Sequence, residues 1–251
     1  MISAFSKTEK RFCTTLIERI IMNFFDSLIK EAEEIICPYS KKLYAYDEEK
    51  VWADAGENQV ILTRDTAFQL DGVGFNLVTT EEVEDSVVVV GDDLGEITGD
   101  RGFARVSVAS VEDTDDEQSA YNLIKKVDYV KYHFFPDGYM IRSTSRQHKE
   151  SVRVSKDAVK KGVSFEGIGN LYIKKCKENP KVKGVQVFFI TDKSIDIKLF
   201  EALAEKNHKI AEALNHIMNN IMFDCDTCNL KAVCDEVEGM KELHFRRSKD
   251  E

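Results

Sequence analysis

The sequence predicts an α/β protein, a mixed sheet with flanking helices, and three observations carry that prediction. Short apolar runs of strand length at 60–62, 75–78, 87–90 and 103–108 are punctuated by Gly72, Gly74, Gly91, Gly95, Gly99 and Gly102. Longer stretches near both ends of the chain repeat apolar residues at helical spacing. A continuous apolar run at 185–190 reads as a strand covered on both faces.

Taken along the chain, residues 12–36 are expected to form a helix through Leu16, Ile20, Phe24, Leu28 and Ile35, ended by Pro38. Met22 offers an alternative start, which would make residues 1–21 an extension of little structural weight. After the strand region, Asp115 or Asp116 can cap a helix reaching about residue 127. The aromatic segments 130–135 and 139–142, joined by Pro136, Asp137 and Gly138, are expected to pair as a hairpin. Ser155 caps a short helix that Gly162 ends. Beyond the buried strand, residues 194–222 carry Leu199, Leu203, Ile210, Leu214, Ile217 and Ile221 as an amphipathic helix leading to Cys225. The tail 246–251 is expected to fray. Three units result: an N-terminal helical extension over 1–40, an α/β domain over 41–222 and a cysteine-rich metal-binding segment over 223–251.

Composition narrows the function classes. With 251 residues, 43% hydrophobic and 32% charged, the chain is long enough to bury a sizeable core and too apolar to stay disordered. A net charge of -10 argues against a nucleic-acid partner, which needs basic surface to displace counterions. No apolar run approaches a membrane span, and Lys7, Lys10, Arg11, Glu18 and Arg19 interrupt any signal-like segment, so no membrane partner and a cytoplasmic location are expected. Charge is unevenly distributed: residues 81–137 carry fifteen acids against five bases, whereas 138–183 carry twelve bases against four acids. The second block suits an anion.

Half of the six cysteines fall within ten residues, as Cys225, Cys228 and Cys234 in a Cys-x2-Cys-x5-Cys cluster. Cys13, Cys37 and Cys176 stand alone, a usage that fits a reducing compartment and no disulfide framework. Two thiolates separated by two residues can grip one ion or one face of a cluster, and soft sulfur selects zinc, iron–sulfur or nickel over hard cations. His244, ten residues after Cys234, is the natural candidate for a fourth ligand, the alternative being an exposed histidine near the chain's end. The competing readings are a redox dithiol and plain buried thiols.

The run VRVSKDAVKKGVSFEGIGNLYIKKCKENPKVKGVQVFFITDK at 152–193 resembles the acetyl-CoA synthase family, the CO-methylating beta subunit of the carbon monoxide dehydrogenase/acetyl-CoA synthase complex. In that family a similar RVSKDAV segment precedes a buried strand, a long helix and the first cysteines of a nickel–iron–sulfur centre. LVTTEEVEDSVVVVGDDLGEI at 77–97 resembles the acidic strand region of the same family, and the likeness runs over roughly 70–245. The resemblance implies the family's middle domain followed by the start of its metal domain. It also implies work in anaerobic one-carbon and acetyl-CoA metabolism, with acetyl transfer to coenzyme A as the reaction and carbon monoxide dehydrogenase or corrinoid protein subunits as partners.

The family's cluster cysteines follow Cys-x2-Cys-x8-Cys-x9-Cys and hold a 4Fe-4S cube. Cys225, Cys228 and Cys234 match the first three with a shortened middle loop, and His244 occupies the fourth position. The later Cys-Gly-Cys motif that holds the family's distal nickel does not occur in the sequence, so a complete nickel site would need ligands from a second chain. In the family, arginines and a tryptophan of the middle domain are associated with coenzyme A. Arg142, Arg146, Arg153 and Lys156 are the residues here that could meet its phosphates, while the tryptophan's position is Ser151. The alternatives to an iron–sulfur acetyl-CoA-synthase-like protein are a non-catalytic accessory metalloprotein, either an electron carrier or a docking partner, and a structural Cys3His zinc site.

Overall fold

A computed structural model describes residues 23–57, 72–98, 101–114, 116–143, 149–219, 221, 225 and 227–247. Helix α1 (Asp26–Ile36) buries Leu28, Ala32 and Ile36, four residues apart, and is the described part of the helix expected over 12–36. The remainder of that expectation, and the strand expected at 60–62, lie outside the described residues.

Five strands form the main sheet: β1 (Lys41–Ala45), β2 (Val73–Thr79), β3 (Ser86–Val90), β4 (Ala104–Val111) and β7 (Val182–Ile190), in the order β1-β3-β7-β4-β2. The sheet is mixed. β3 runs parallel to β7, β2 runs parallel to β4, and the β1–β3 and β4–β7 pairs are antiparallel. β2, β3 and β4 are buried at every position, as strands covered on both faces must be. β7, the last strand of this sheet in sequence, sits at its centre.

Helix α4 (Phe165–Lys177) covers the face bearing Val87 and Phe189, where Phe165 stacks on Phe189 at 4.4 Å between ring centroids. Ser164 caps its first turn, and Asp93 Oδ1 accepts a second hydrogen bond from Phe165 N at 2.8 Å. Gly169 lets this helix approach the sheet closely, because a Cβ there would overlap the Val87 methyls. On the opposite face α1 and helix α5 (Ile197–Met218) lie over Val106, Val108, Phe188 and Ile190. α5 begins at its Asp196 cap and buries Phe200, Leu203, Ile210, Leu214 and Ile217, whereas Leu199 and Ile221, expected on the same stripe, are exposed.

The hairpin expected between 130–135 and 139–142 does not form. Helix α2 (Glu117–Tyr129), capped by Asp116, runs on into a 3-10 turn (Val130–Tyr132), so the aromatic segment continues a helix instead of extending. Strand β5 (Tyr139–Ser143) pairs with β6 (Glu150–Val154) in its place. Aromatic content at 130–135 suggested strand, but packing decides: Phe134 turns inward to meet Tyr172 of α4 edge-on at 5.0 Å. Helix α3 (Lys156–Lys160) follows, capped by Ser155 and ended at Gly162 (φ 82°), as expected.

The chain closes with α6 (Lys231–Glu236) and α7 (Met240–Arg247), joined through Gly239 in the left-handed region (φ 85°). Both pack back on α5, burying Leu230, Val233, Met240 and Leu243. His244 therefore sits on a packed helix that reaches Arg247, into the tail 246–251 expected to fray, the rest of which lies outside the described residues. Lys206 of α5 pairs with Glu236 of α6 at 2.8 Å and with Glu31 of α1 at 3.3 Å.

Candidate metal centre

The long amphipathic helix fixes where the cysteines can go. α5 is held by β2 of the sheet and by α1 and α2, and past Met218 the chain passes through Cys225 and Cys228 before α6 carries Cys234 and α7 carries His244. All four side chains line one pocket of about 270 Å³, floored by Ala213 and Ile217 of α5 and edged by Lys231 and Lys241. Cys225 is exposed, and Cys228, Cys234 and His244 are half-buried. Cys225 Sγ stands 3.7 Å from His244 Nδ1, and the Leu230 N–H donates to Cys228 Sγ at 3.4 Å.

Electrostatics tie the sulfurs together. Burial, followed by the neighbouring Cys228 and Cys225 and then Asp235, pushes the Cys234 thiol above its ordinary pKa, with Lys241 opposing. Without a cation the pocket thus favours the thiol over the thiolate at Cys234. Among the described residues no group of three or more His, Cys, Asp or Glu side chains stands close enough, as the side chains lie, to hold a metal ion.

The donor set only partly fits the family's centre. Three thiols and an imidazole are soft, exchangeable ligands of the right class. A cube seats each protein ligand on a separate iron corner, which spreads the ligands farther apart than two donors on one ion. The 3.7 Å between Cys225 Sγ and His244 Nδ1 is too close for that arrangement as it stands.

Of the basic candidates with described side chains, neither Arg153 nor Lys156 lines this pocket. Arg142 pairs through its backbone with Ser151 in the β5–β6 hairpin, and Arg153 pairs with Met140 and is exposed. Lys156 is exposed in the first turn of α3. Arg146, with residues 144–148, lies outside the described residues, as does the side chain of Arg142.

A second polar cluster was not anticipated. Arg105 in β4 is 1% exposed and makes two 2.7 Å contacts with Glu150 of β6, one from Nε and one from Nη2. Its Nη1 donates to Asn76 Oδ1 and Ser107 Oγ at 3.0 Å each, and Tyr172 places its ring 4.6 Å below the guanidinium while donating to Asn76 Oδ1 at 2.7 Å. Burial alone would lower the Arg105 pKa, but Glu150 holds it above its ordinary value, so the guanidinium stays charged. Burial raises Tyr139 and Tyr172 well above the usual phenol range. Gly74 is required here because a Cβ would overlap the Glu150 carboxylate. The cluster anchors the hairpin to the sheet, beside the Val73 to Lys149 bridge. Its sequence signal was a charge inside the alternating strand FARVSV facing the small pair GVG, but the partner 45 positions later carries no local pattern.

Comparison with known proteins bears on the body of the fold. The family model described as CO dehydrogenase/acetyl-CoA synthase complex beta subunit matches residues 53–195, more than half of the chain. That span runs from before β2 to just past β7 and stops short of Cys225. No curated protein gives a significant match.

Proposed function

Because the chain belongs to the family of CO dehydrogenase/acetyl-CoA synthase complex beta subunits, we propose that it is an acetyl-CoA-synthase-related metalloprotein of one-carbon and acetyl-CoA metabolism, with a thiolate-bound metal in its C-terminal pocket. The observation that carries the reading is the meeting of Cys225, Cys228, Cys234 and His244 around one pocket, at the end of the helix that follows the family's α/β body. Soft donors in an apolar recess favour a soft metal over a hard one.

Acetyl transfer to coenzyme A is the activity that kinship favours. The four donors suffice for one centre, so a nickel pair would draw its ligands from outside these four, as from a carbon monoxide dehydrogenase or corrinoid subunit. The role of this chain's own residues is then to hold one metal and to bind. Arg142, Arg146, Arg153 and Lys156 belong to or flank the β5–β6 hairpin and would meet the phosphates of coenzyme A by charge-assisted hydrogen bonds. The buried Arg105–Glu150 pair fixes the hairpin that presents them.

The test is metal analysis of protein purified without oxygen, together with carbonyl exchange between carbon monoxide and acetyl-CoA in the presence of candidate partner subunits. Bound metal with exchange supports the catalytic form. Bound metal without exchange under any pairing reduces the protein to an accessory role, and absence of metal from wild-type protein removes the proposal.

A further inference from the structure

We infer that the C-terminal pocket takes a single tetrahedral ion of the zinc class, held by Cys225, Cys228, Cys234 and His244, and not the four-iron cube of the family's centre. This rests on the metal-binding reading above and specifies its chemistry. A tetrahedral ion with sulfur at about 2.3 Å and nitrogen at about 2.0–2.1 Å separates those two atoms by ~3.6 Å. Cys225 Sγ and His244 Nδ1 are 3.7 Å apart, the edge of such a tetrahedron.

Three further features agree. The donor set is the three-cysteine, one-histidine set of closed structural zinc sites, and two of its members share the Cys-x2-Cys spacing common to them. The Leu230 N–H already donates to Cys228 Sγ at 3.4 Å, the kind of outer contact that orients a ligating sulfur. Cys228 lies outside the helices and Cys234 on a six-residue helix, so an ion can draw both toward the Cys225–His244 edge while α5 stays packed on β2. The ion would then tie α6 and α7 together beneath α5, where the described contacts include a few apolar side chains, the Lys206–Glu236 pair and the Lys241–Asp235 pair at 2.6 Å.

The decisive experiment uses the full chain, stripped of metal by chelator under reducing conditions, titrated with cobalt(II) and then with zinc. One equivalent of cobalt is expected, giving intense tetrahedral bands and sulfur-to-metal charge transfer, and zinc should displace it mole for mole. Cys228→Ser should abolish these bands, and His244→Ala should weaken cobalt affinity by at least about tenfold, the loss produced even by removing an outer hydrogen-bond partner of a ligand. Circular dichroism of each stripped variant against stripped wild type reports folding, and Cys225→Ser provides a second sulfur deletion. Unchanged cobalt affinity in His244→Ala overturns the four-ligand set. Stoichiometric iron and sulfide, with broad visible absorption bleached by dithionite, overturns the single ion but leaves the metal reading intact. Failure to bind cobalt, zinc or an iron–sulfur cluster overturns both.

Discussion

Arg105→Met removes the cation from a carboxylate that the fold cannot re-solvate. The Arg105 and Glu150 side chains are 1% and 2% exposed, and both guanidinium contacts are 2.7 Å. Breaking a buried pair from one side strands the other charge, at a cost of about 3–5 kcal/mol. For a chain of this size that corresponds to a melting temperature lower by about 6–20 °C. Glu150→Met should cost a similar amount by stranding the guanidinium. Arg105→Met with Glu150→Met leaves no charge behind, and Asn76 Oδ1 keeps its donors from Tyr172 and Ser107. The double variant should therefore lie within ~2 kcal/mol of wild type, giving a favourable coupling of at least ~4 kcal/mol in the mutant cycle. Urea denaturation followed by circular dichroism measures all four corners. Additive losses, or a single variant costing less than ~1 kcal/mol, would show that the pair is hydrated or unformed and refute the reasoning.

Other perturbations test separate parts of the fold. Gly169→Ala should destabilise by about 1–3 kcal/mol through overpacking against Val87, and Val87→Ala in the same chain should recover much of the loss, read from paired melting curves. Asp116→Ala should cost ~1 kcal/mol, because the carboxylate accepts from Ser119 N at 2.8 Å at the start of α2; denaturation midpoints check this. Burial pushes the Cys176 thiol up to about 12, so native protein should leave it unmodified by a thiol reagent at pH 8 while exposed Cys37 reacts. The same shift has a sign. Between the ordinary thiol value of 9.0 and about 12 the unfolded chain gives up this proton and the folded chain keeps it, so stability is intact below pH 9 and falls as pH rises through that window. Cys176→Ala should flatten that alkaline decline in pH-dependent melting, and an unaltered slope would count against the assignment.

Much of the α/β body was legible because its signals are local. Asp116, Ser155 and Gly162 mark helix ends at the residues where the caps form, and Val87 to Val90 and the run through Phe189 are strands because both faces must be dry. The segment at 130–135 misled, since aromatic residues suit a strand and a packed helical turn alike, and only the pocket beside Tyr172 chose between them. Helix α4 carries little local signal because its glycines, Gly167 and Gly169, lower helical propensity, and Gly169 is there for close approach to the sheet.

At the candidate site the sequence by itself determined the inventory: three soft sulfurs in ten residues and a histidine at a spacing that matches the fourth ligand position. Only the tertiary structure decided that α7 folds back on α5 and sets His244 Nδ1 3.7 Å from Cys225 Sγ, because that contact depends on buried Met240 and Leu243 meeting a helix from the main body. The same holds for Arg105 and Glu150. A charge in a strand announces that it needs a partner, but which residue answers is settled by how the hairpin lies on the sheet, a long-range packing choice that no local pattern encodes.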